Sequence, residues 1–314
     1  MPRKILLSVV LSAFFLSALL LFWHYQLPAL AYHWIAVRRQ ADTWRSRSLW
    51  LPDYRVTLDA HPVEGIVRNL SGLTYNSRAG TLFAVINNPA QIAEITTHGQ
   101  LLRLIAVEGV ADLEGISYVD GNLFTLIDER EQQVYWVEID ENTRRVDVAK
   151  ASRLGLGILL NGNLGFEGVS WDEKMRRLFV AKEKSPMRIF SIDGATQWRK
   201  GNVLDLQIRE WSPRRPSALF VRDISSISLH DRTGHLLLLS DESRLLVEYG
   251  SKSELVSFMP LWRGWHGLKH SIPQAEGVAV DDADAIYIIS EPNLLYRFER
   301  PCLVNGNPSC NQRE

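Results

Sequence analysis

Three glutamates each stand directly before a glycine at the start of a short apolar stretch. The stretches are LEGISYV at 113–119, FEGVSWD at 166–172 and AEGVAVD at 275–281. A carboxylate is rare in a buried strand unless it binds a ligand or receives hydrogen bonds. Two explanations therefore stay open for Glu114, Glu167 and Glu276. They bind a cation, or they accept backbone N–H groups in a turn in which glycine adopts an unusual backbone angle.

The same pattern recurs in five segments of the chain. Each segment has a short alternating strand, a turn rich in Asp, Asn or Gly, and a second apolar strand. These features, with many β-branched and aromatic residues, are typical of β-hairpins. Successive segments lie 43, 53, 58 and 51 residues apart, measured between the aligned positions Ser71, Glu114, Glu167, Ser225 and Glu276.

The repeat predicts an all-β fold, a five-bladed β-propeller. Three to four strands recurring about every 50 residues is the period of a propeller blade. A third strand follows the hairpin in each segment, at 91–96, 133–139, 187–192, 245–249 and 294–299. The last segment lacks an outer strand, and YRVTL at 54–58 is the natural donor that closes the ring. A six-bladed ring is the alternative if residues 196–220 contain a degenerate blade.

In such a blade, the start of the first strand and the end of the second meet at one rim of the central channel. Carboxylates crowded there repel one another, and a divalent cation relieves the repulsion. Calcium fits best because it takes 6–8 oxygen ligands. Magnesium is the lesser candidate, and zinc is disfavoured because no histidine or cysteine is aligned there. Lys182 is the only cation at the aligned positions, and the predicted metal ligands are Glu114, Glu167, Glu276, Asp128, Glu129, Glu183, Asp241, Glu242 and Glu291.

The N-terminal stretch predicts one transmembrane helix. Residues 5–23 contain no charge, and a helix of that length covers roughly 30 Å. A cleaved signal ending near residues 28–31 is the alternative; either way the rest of the chain is exported. We expect a cytoplasmic segment at 1–4, an inner-membrane anchor at 5–23, a juxtamembrane linker at 24–49, a periplasmic propeller at 50–301 and a C-terminal tail at 302–314. Cys302 and Cys310, the only two cysteines, pair there or remain free thiols.

The composition argues against nucleic-acid binding, because 35 Lys and Arg balance 36 Asp and Glu. No nucleophile motif indicates an enzyme. The loop WRGWHGLKH at 262–270 is the one segment that suggests catalysis. It could bring Arg263, His266, Lys269 and His270 over the acidic rim, an arrangement suited to a phosphate ester. We expect the scattered histidines to lie on the surface; they are His61, His98, His230, His235, His266 and His270.

The N-terminal anchor, SGLTYN from Ser71, LEGISYV, FEGVSWD and AEGVAVD together resemble the SdiA-regulated family of bacterial envelope proteins. The resemblance covers about residues 50–300 and implies a membrane-attached periplasmic propeller that binds calcium, with no assigned activity. We expect a binding or signalling role in the envelope. Ser71 and Ser225 depart from the glutamate pattern, so an even ring of five carboxylates is excluded. The alternatives are a calcium-dependent phosphoesterase, phytase-like, or lactonase, and a metal-free scaffold for an envelope protein or small molecule.

Overall fold

The computed structural model describes residues 3–24, 27–157, 165–184, 186–196, 205–214 and 219–301. The chain divides into two compact units, Met1–Arg45 and Ser46–Glu314. The first unit is helical, with α1 at Arg3–His24, α2 at Leu27–Arg39 and α3 at Ala41–Trp44. Within the described residues, no helix was found to combine the length and the apolar character needed to cross a membrane.

The second unit is built from strands, and those in its described residues form five sheets. In chain order they are β1 Arg55–Pro62, β2 Leu70–Asn76, β3 Thr81–Ile86, β4 Gln91–Ile95, β5 Leu101–Glu108, β6 Leu113–Asp120, β7 Leu123–Asp128, β8 Gln133–Glu138, β9 Arg145–Asp147 and β10 Ser152–Gly155. They continue with β11 Phe166–Asp172, β12 Arg177–Lys182, β13 Arg188–Asp193, β14 Gln207–Trp211, β15 Ser226–His230, β16 His235–Ser240, β17 Leu245–Tyr249, β18 Leu255–Pro260, β19 Ala275–Val280, β20 Ile286–Ser290 and β21 Leu294–Glu299.

The sheets are the five blades of a propeller, as the repeat predicts. From the channel outwards, blade A is β2-β3-β4-β5-β9, blade B is β6-β7-β8-β10 and blade C is β11-β12-β13-β14. Blade D is β15-β16-β17-β18, and blade E is β19-β20-β21-β1. The six-bladed alternative is wrong, because β14 is the outer strand of blade C; residues 197–204 and 215–218 lie outside the described residues.

The ring closes through strands from distant parts of the chain. β1 pairs antiparallel with β21, from Arg55 opposite Glu299 to Pro62 opposite Leu294. The predicted closing strand is therefore confirmed. Because antiparallel partners exchange backbone hydrogen bonds, this pairing completes blade E and leaves β1 as its outer strand.

Glycine follows the glutamate because neighbouring inner strands run very close together there. A Cβ atom on Gly115 would lie 3.0 Å from the backbone oxygen of Glu167, and one on Gly277 would lie 2.8 Å from the backbone nitrogen of Leu73. The pairing register also shifts between Leu113 and Gly115, so Glu114 is the extra residue of a β-bulge. The same shift occurs around Glu167 and Glu276.

Further along the inner strands, after the bulge, side-chain hydroxyl groups join neighbouring blades. The Tyr118 N–H donates to Thr74 Oγ1 at 3.0 Å, joining blades A and B. Trp171 N–H donates to Ser117 Oγ at 3.0 Å, joining B and C. Leu229 N–H donates to Ser170 Oγ at 2.7 Å, joining C and D. Bulges and hydroxyl links together fix where each glutamate stands on its strand.

Candidate functional site

Three carboxylates of blade B come together at the predicted rim. Asp112 directly precedes β6, Glu114 is the bulged residue of β6, and Glu129 directly follows β7. One oxygen of each lies within 4.8 Å of one oxygen of the other two. All three side chains are buried or half-buried, so water screens their mutual repulsion only in part. We call Asp112, Glu114 and Glu129 the open carboxylate cluster.

Hydrogen bonds orient this cluster without neutralising it. The neutral amide of Asn87 donates to Asp112 Oδ1 at 2.7 Å and also to Glu114 Oε1. The backbone N–H of Gly165 donates to Glu129 Oε1 at 2.9 Å. Arg130, an exposed residue, contributes a cation at 3.3 Å from Asp112 Oδ2. Three carboxylates thus face one exposed guanidinium, which leaves an excess of negative charge.

The excess charge appears in the pKa values of the three glutamates that precede glycine. Burial raises the pKa of Glu114 to about 7, and repulsion from Asp112 and Glu129 adds to the effect. Burial and the Glu114 charge raise the pKa of Glu276 to about 9. Burial raises the pKa of Glu167 well above its ordinary value, again with repulsion from Glu114. The charge of Glu114 therefore contributes to the raised pKa of both Glu167 and Glu276.

Further round the ring, the carboxylates are neutralised by cations. Lys184 Nζ lies 2.7 Å from Glu183 and 2.9 Å from Glu242, and Arg222 Nε lies 3.4 Å from Glu242. Burial lowers the pKa of Lys184, but the hydrogen bonds to the two glutamates outweigh burial and raise it. Lys184 therefore stays protonated. We call Glu183, Lys184, Arg222 and Glu242 the ion-paired cluster.

Lys182, the cation at the aligned repeat positions, donates a hydrogen bond to a backbone oxygen. Its side chain is fully buried and its Nζ donates to the backbone oxygen of Lys184 at 2.8 Å. Lys184 and Arg222 supply the positive charge at this part of the rim. Sequence alignment missed them because they follow or precede the strands, where the repeats no longer align.

Two predicted ligands hold backbone groups. Asp128 is fully buried and accepts the N–H of Ala111 at 2.7 Å, and Asp241 accepts the N–H of Ala275 at 3.1 Å. Burial raises the pKa of Glu291, the predicted ligand of blade E. Asp112 was missing from the predicted set, although an Asp, Asn or Gln two residues before the bulge recurs in four of the five segments.

The loop before the last repeat does not cover the channel. His266 Nδ1 lies 2.8 Å from the backbone oxygen of Tyr54, and Lys269 N–H donates to Asp59 at 3.1 Å. These contacts place the loop against β1, the outer strand of blade E. The prediction that it stands over the rim is wrong, because the closing strand offers these backbone and carboxylate partners instead.

Two histidines depart from the expected surface position. His235 is buried and its Nδ1 lies 2.8 Å from Glu248, which is also fully buried. His230 is buried with its Nε2 3.1 Å from Asp284. Both begin or end strands of blade D, where a carboxylate of a neighbouring strand or blade replaces water as partner. For these two residues the surface prediction is wrong.

The fold and its rim define an all-β, five-bladed propeller whose channel opens onto a ring of carboxylates. The family model described as SdiA-regulated matches residues 46–299. The chain therefore belongs to the SdiA-regulated family.

Solved propellers are similar to this chain at low identity. A luciferin-regenerating enzyme matches with a TM-score of 0.47 and 11% identity, over 78% of this chain and 94% of that one. A chain of a nidogen/laminin complex matches with a TM-score of 0.45 and 10% identity, over 71% and 73%. Virginiamycin B lyase from Staphylococcus aureus matches with a TM-score of 0.42 and 13% identity, over 73% and 65%. Similarities of this size say nothing about the activity of this chain.

Proposed function

We propose that this protein is a membrane-anchored periplasmic propeller that binds calcium at the open carboxylate cluster and serves a binding or signalling role in the cell envelope. The observation that carries the proposal is the convergence of Asp112, Glu114 and Glu129, with one oxygen of each within 4.8 Å of the others. Buried carboxylates that are not neutralised by the protein stabilise a bound divalent cation.

The donor set suits calcium better than other metals. Asp112, Glu114 and Glu129 each bring one carboxylate oxygen to the site, and calcium, which takes 6–8 oxygen ligands in flexible geometry, would complete its shell with water or carbonyl oxygens. Magnesium requires a stricter octahedron and keeps more of its water. A bound cation would also take over the neutralisation that protonation of Glu114 otherwise provides, because the pKa of this carboxyl is raised to about 7.

The enzyme alternative needs a base beside the ion, and the histidine and lysine contacts within the described residues favour none. Lys184 lies at the rim, but its raised pKa keeps it protonated. His230, His235 and His266 contact Asp284, Glu248 and Tyr54, away from the carboxylate cluster. We therefore propose binding and not hydrolysis.

Calorimetric titration of calcium into the full-length protein in detergent tests the cation site, with magnesium as the competing ion. We expect a dissociation constant in the micromolar to millimolar range, with weaker magnesium binding. The double variant Glu114→Gln with Glu129→Gln should bind calcium about 100-fold more weakly, because each lost charge costs about a factor of ten. Glu242→Gln, at the ion-paired cluster, is the matched control and should bind as the wild type does. Equal affinity in the double variant would overturn the assignment of the calcium site to this cluster, and no binding by the wild type would favour a metal-free scaffold.

The membrane anchor is proposed from the sequence of residues 5–23, which carry no charge. Exposed aromatic and basic residues follow in α2, where Arg38 lies over the Trp34 ring at 3.8 Å. Such residues are typical of the boundary between membrane and water. The protein should stay with the membranes on alkaline carbonate extraction, and its first residue should be Met1 or Pro2. A chain that is released and begins near residue 32 would establish the cleaved signal instead.

A further inference from the structure

A rigid loop carries an exposed tryptophan at the perimeter of the propeller. It comprises residues 262–270 and connects β18 with β19. Trp265 is 44% exposed, and Arg263, Lys269 and His270 are exposed beside it. A large aromatic side chain left in water among cations is typical of residues that bind the boundary region of a membrane.

Backbone hydrogen bonds hold the loop in one shape. Gly264 N–H donates to Leu268 O and Leu268 N–H donates to Trp265 O, each at 2.9 Å. Val56 N–H donates to His266 O at 2.8 Å, which attaches the loop to β1. Trp265 is therefore presented outwards by a fixed frame, so docking it costs little conformational entropy.

The loop lies where the chain enters the propeller. Leu268 shares one buried apolar cluster with Leu49, Leu51 and Tyr54. The N–H groups of Leu49 and Trp50 donate to the buried carboxylate of Glu248 at 3.0 and 3.2 Å, which fixes this segment to blade D. Only residues 24–48 separate it from the proposed anchor, a tether of at most about 90 Å if fully extended. The propeller is thus held near the bilayer by the same segment that supports the loop.

The charge around Trp265 is positive. Residues 53–59 and 262–270 contain three basic side chains, those of Arg55, Arg263 and Lys269, all exposed, against the two acidic side chains of Asp53 and Asp59. Asp59 accepts the N–H of Lys269, and Asp53 lies 3.5 Å from Arg300. Basic side chains close to an anionic membrane surface each contribute about 1 kcal/mol in general, so such a group favours anionic over neutral headgroups.

We propose that the loop at residues 262–270 docks the propeller onto an anionic phospholipid surface, with Trp265 inserted among the headgroups and Arg263 and Lys269 binding their phosphates. The inference rests on the membrane anchor proposed above, and it concerns a separate contact made by the propeller itself.

Quenching of tryptophan fluorescence by brominated lipid tests this contact in the full-length protein. The protein is reconstituted into vesicles of brominated phosphatidylcholine with or without phosphatidylglycerol, and co-flotation is measured first. In vesicles with phosphatidylglycerol, we expect Trp265→Phe to remove a quenched component that Trp211→Phe, the half-buried control in blade C, leaves in place. Arg263→Gln with Lys269→Gln should reduce that component several-fold, and so should vesicles of phosphatidylcholine alone.

The outcomes separate the two proposals. Co-flotation without quenching of Trp265 overturns the docking contact and leaves the anchor. If Trp211→Phe removes as much quenching as Trp265→Phe does, the docking contact is also overturned, because it would not be specific to the loop. Failure to co-float overturns both the anchor and the contact that rests on it.

Discussion

The open carboxylate cluster and the ion-paired cluster are built from the same repeat but differ in their counter-ions. Glu129 and Glu183 follow the second strands of blades B and C at aligned positions. At the cluster that contains Glu129, Asn87 supplies a neutral amide to Asp112 and Glu114, and the one cation, Arg130, is exposed. Beside Glu183, Lys184 supplies a full positive charge. The comparison teaches that nearby cations, more than the number of carboxylates, decide which part of the rim keeps an excess of negative charge.

Converting one cluster into the other should have the largest effect. Asn87 aligns with Lys182 in the repeat, and Asn87→Lys would place a cation beside Asp112 and Glu114. We expect calcium affinity to fall at least tenfold, about 1.4 kcal/mol or more, because the lysine competes with the metal for the same oxygens. Calorimetry measures the loss, and Asn87→Gln is the neutral control. Retained affinity in Asn87→Lys would remove the distinction between the clusters.

The pH dependence of calcium affinity tests the role of Glu114 in the open carboxylate cluster. The pKa of Glu114 is raised to about 7, so the carboxyl is mostly protonated at pH 6 and must release its proton when calcium binds. Calcium affinity should therefore rise about tenfold between pH 6 and pH 8. In Glu114→Gln this rise should be largely absent. A flat profile in the wild type would contradict the proposed participation of Glu114.

The same pKa shift sets the direction of the stability change without calcium. A carboxyl whose folded pKa lies above its unfolded value stabilises the fold fully below the unfolded value, and this contribution is lost as the pH rises through the folded pKa. For Glu114 the loss falls between about pH 4.5 and pH 7. The calcium-free protein should thus melt at a higher temperature at pH 5 than at pH 8, and calcium should restore stability at pH 8.

Removing the counter-ion of the ion-paired cluster should have a smaller effect of the opposite sign. Lys184→Met leaves Glu183 and Glu242 with Arg222 as the remaining cation. We expect a loss of about 1 kcal/mol of stability without calcium, because the three side chains are partly exposed, and a second, weaker calcium event in calorimetry. Lys252→Met, in an exposed turn, is the control and should change neither. A single unchanged binding event would show that Lys184 does not exclude metal from this cluster.

The smallest effect should come from removing one of the hydroxyl hydrogen bonds between the inner strands. Ser170→Ala removes the acceptor of the Leu229 N–H between blades C and D. The cost should be about 1 kcal/mol of unfolding free energy, measured with urea, because one buried donor loses its partner. Calcium affinity should stay the same. A large drop in affinity would mean that the inner strands transmit changes to the rim.

Most of the fold follows from local sequence. Alternating apolar residues and turn residues recur in every segment, so the inner strands and the closing strand β1 were predicted. β9 was not, because Arg145–Asp147 is a three-residue strand that joins β5 in parallel and carries no pattern of its own. Its position depends on packing between blades A and B.

The candidate site was predictable only in part. Glu114 and Glu129 stand at repeat positions, and their proximity follows from the blade geometry. The pairing of Lys184 with Glu242 does not, because it joins residues of different blades outside the aligned strands. The burial of His235 against Glu248 is a similar case, since alternation along β16 does not reveal the partner on β17. The net charge of each cluster depends on partners that lie elsewhere in the sequence, so the pattern of a single repeat does not reveal it.

The pairing of β1 with β21 also determines the order in which the molecule can be completed. Arg55 meets Glu299, so the strand made first has to wait for nearly the whole chain to be synthesised before its partner exists. Contacts between residues so far apart in sequence form slowly, because a long loop must close before they stabilise anything. Blades B, C and D can each assemble from neighbouring strands as the chain emerges, whereas blade E is the last to form.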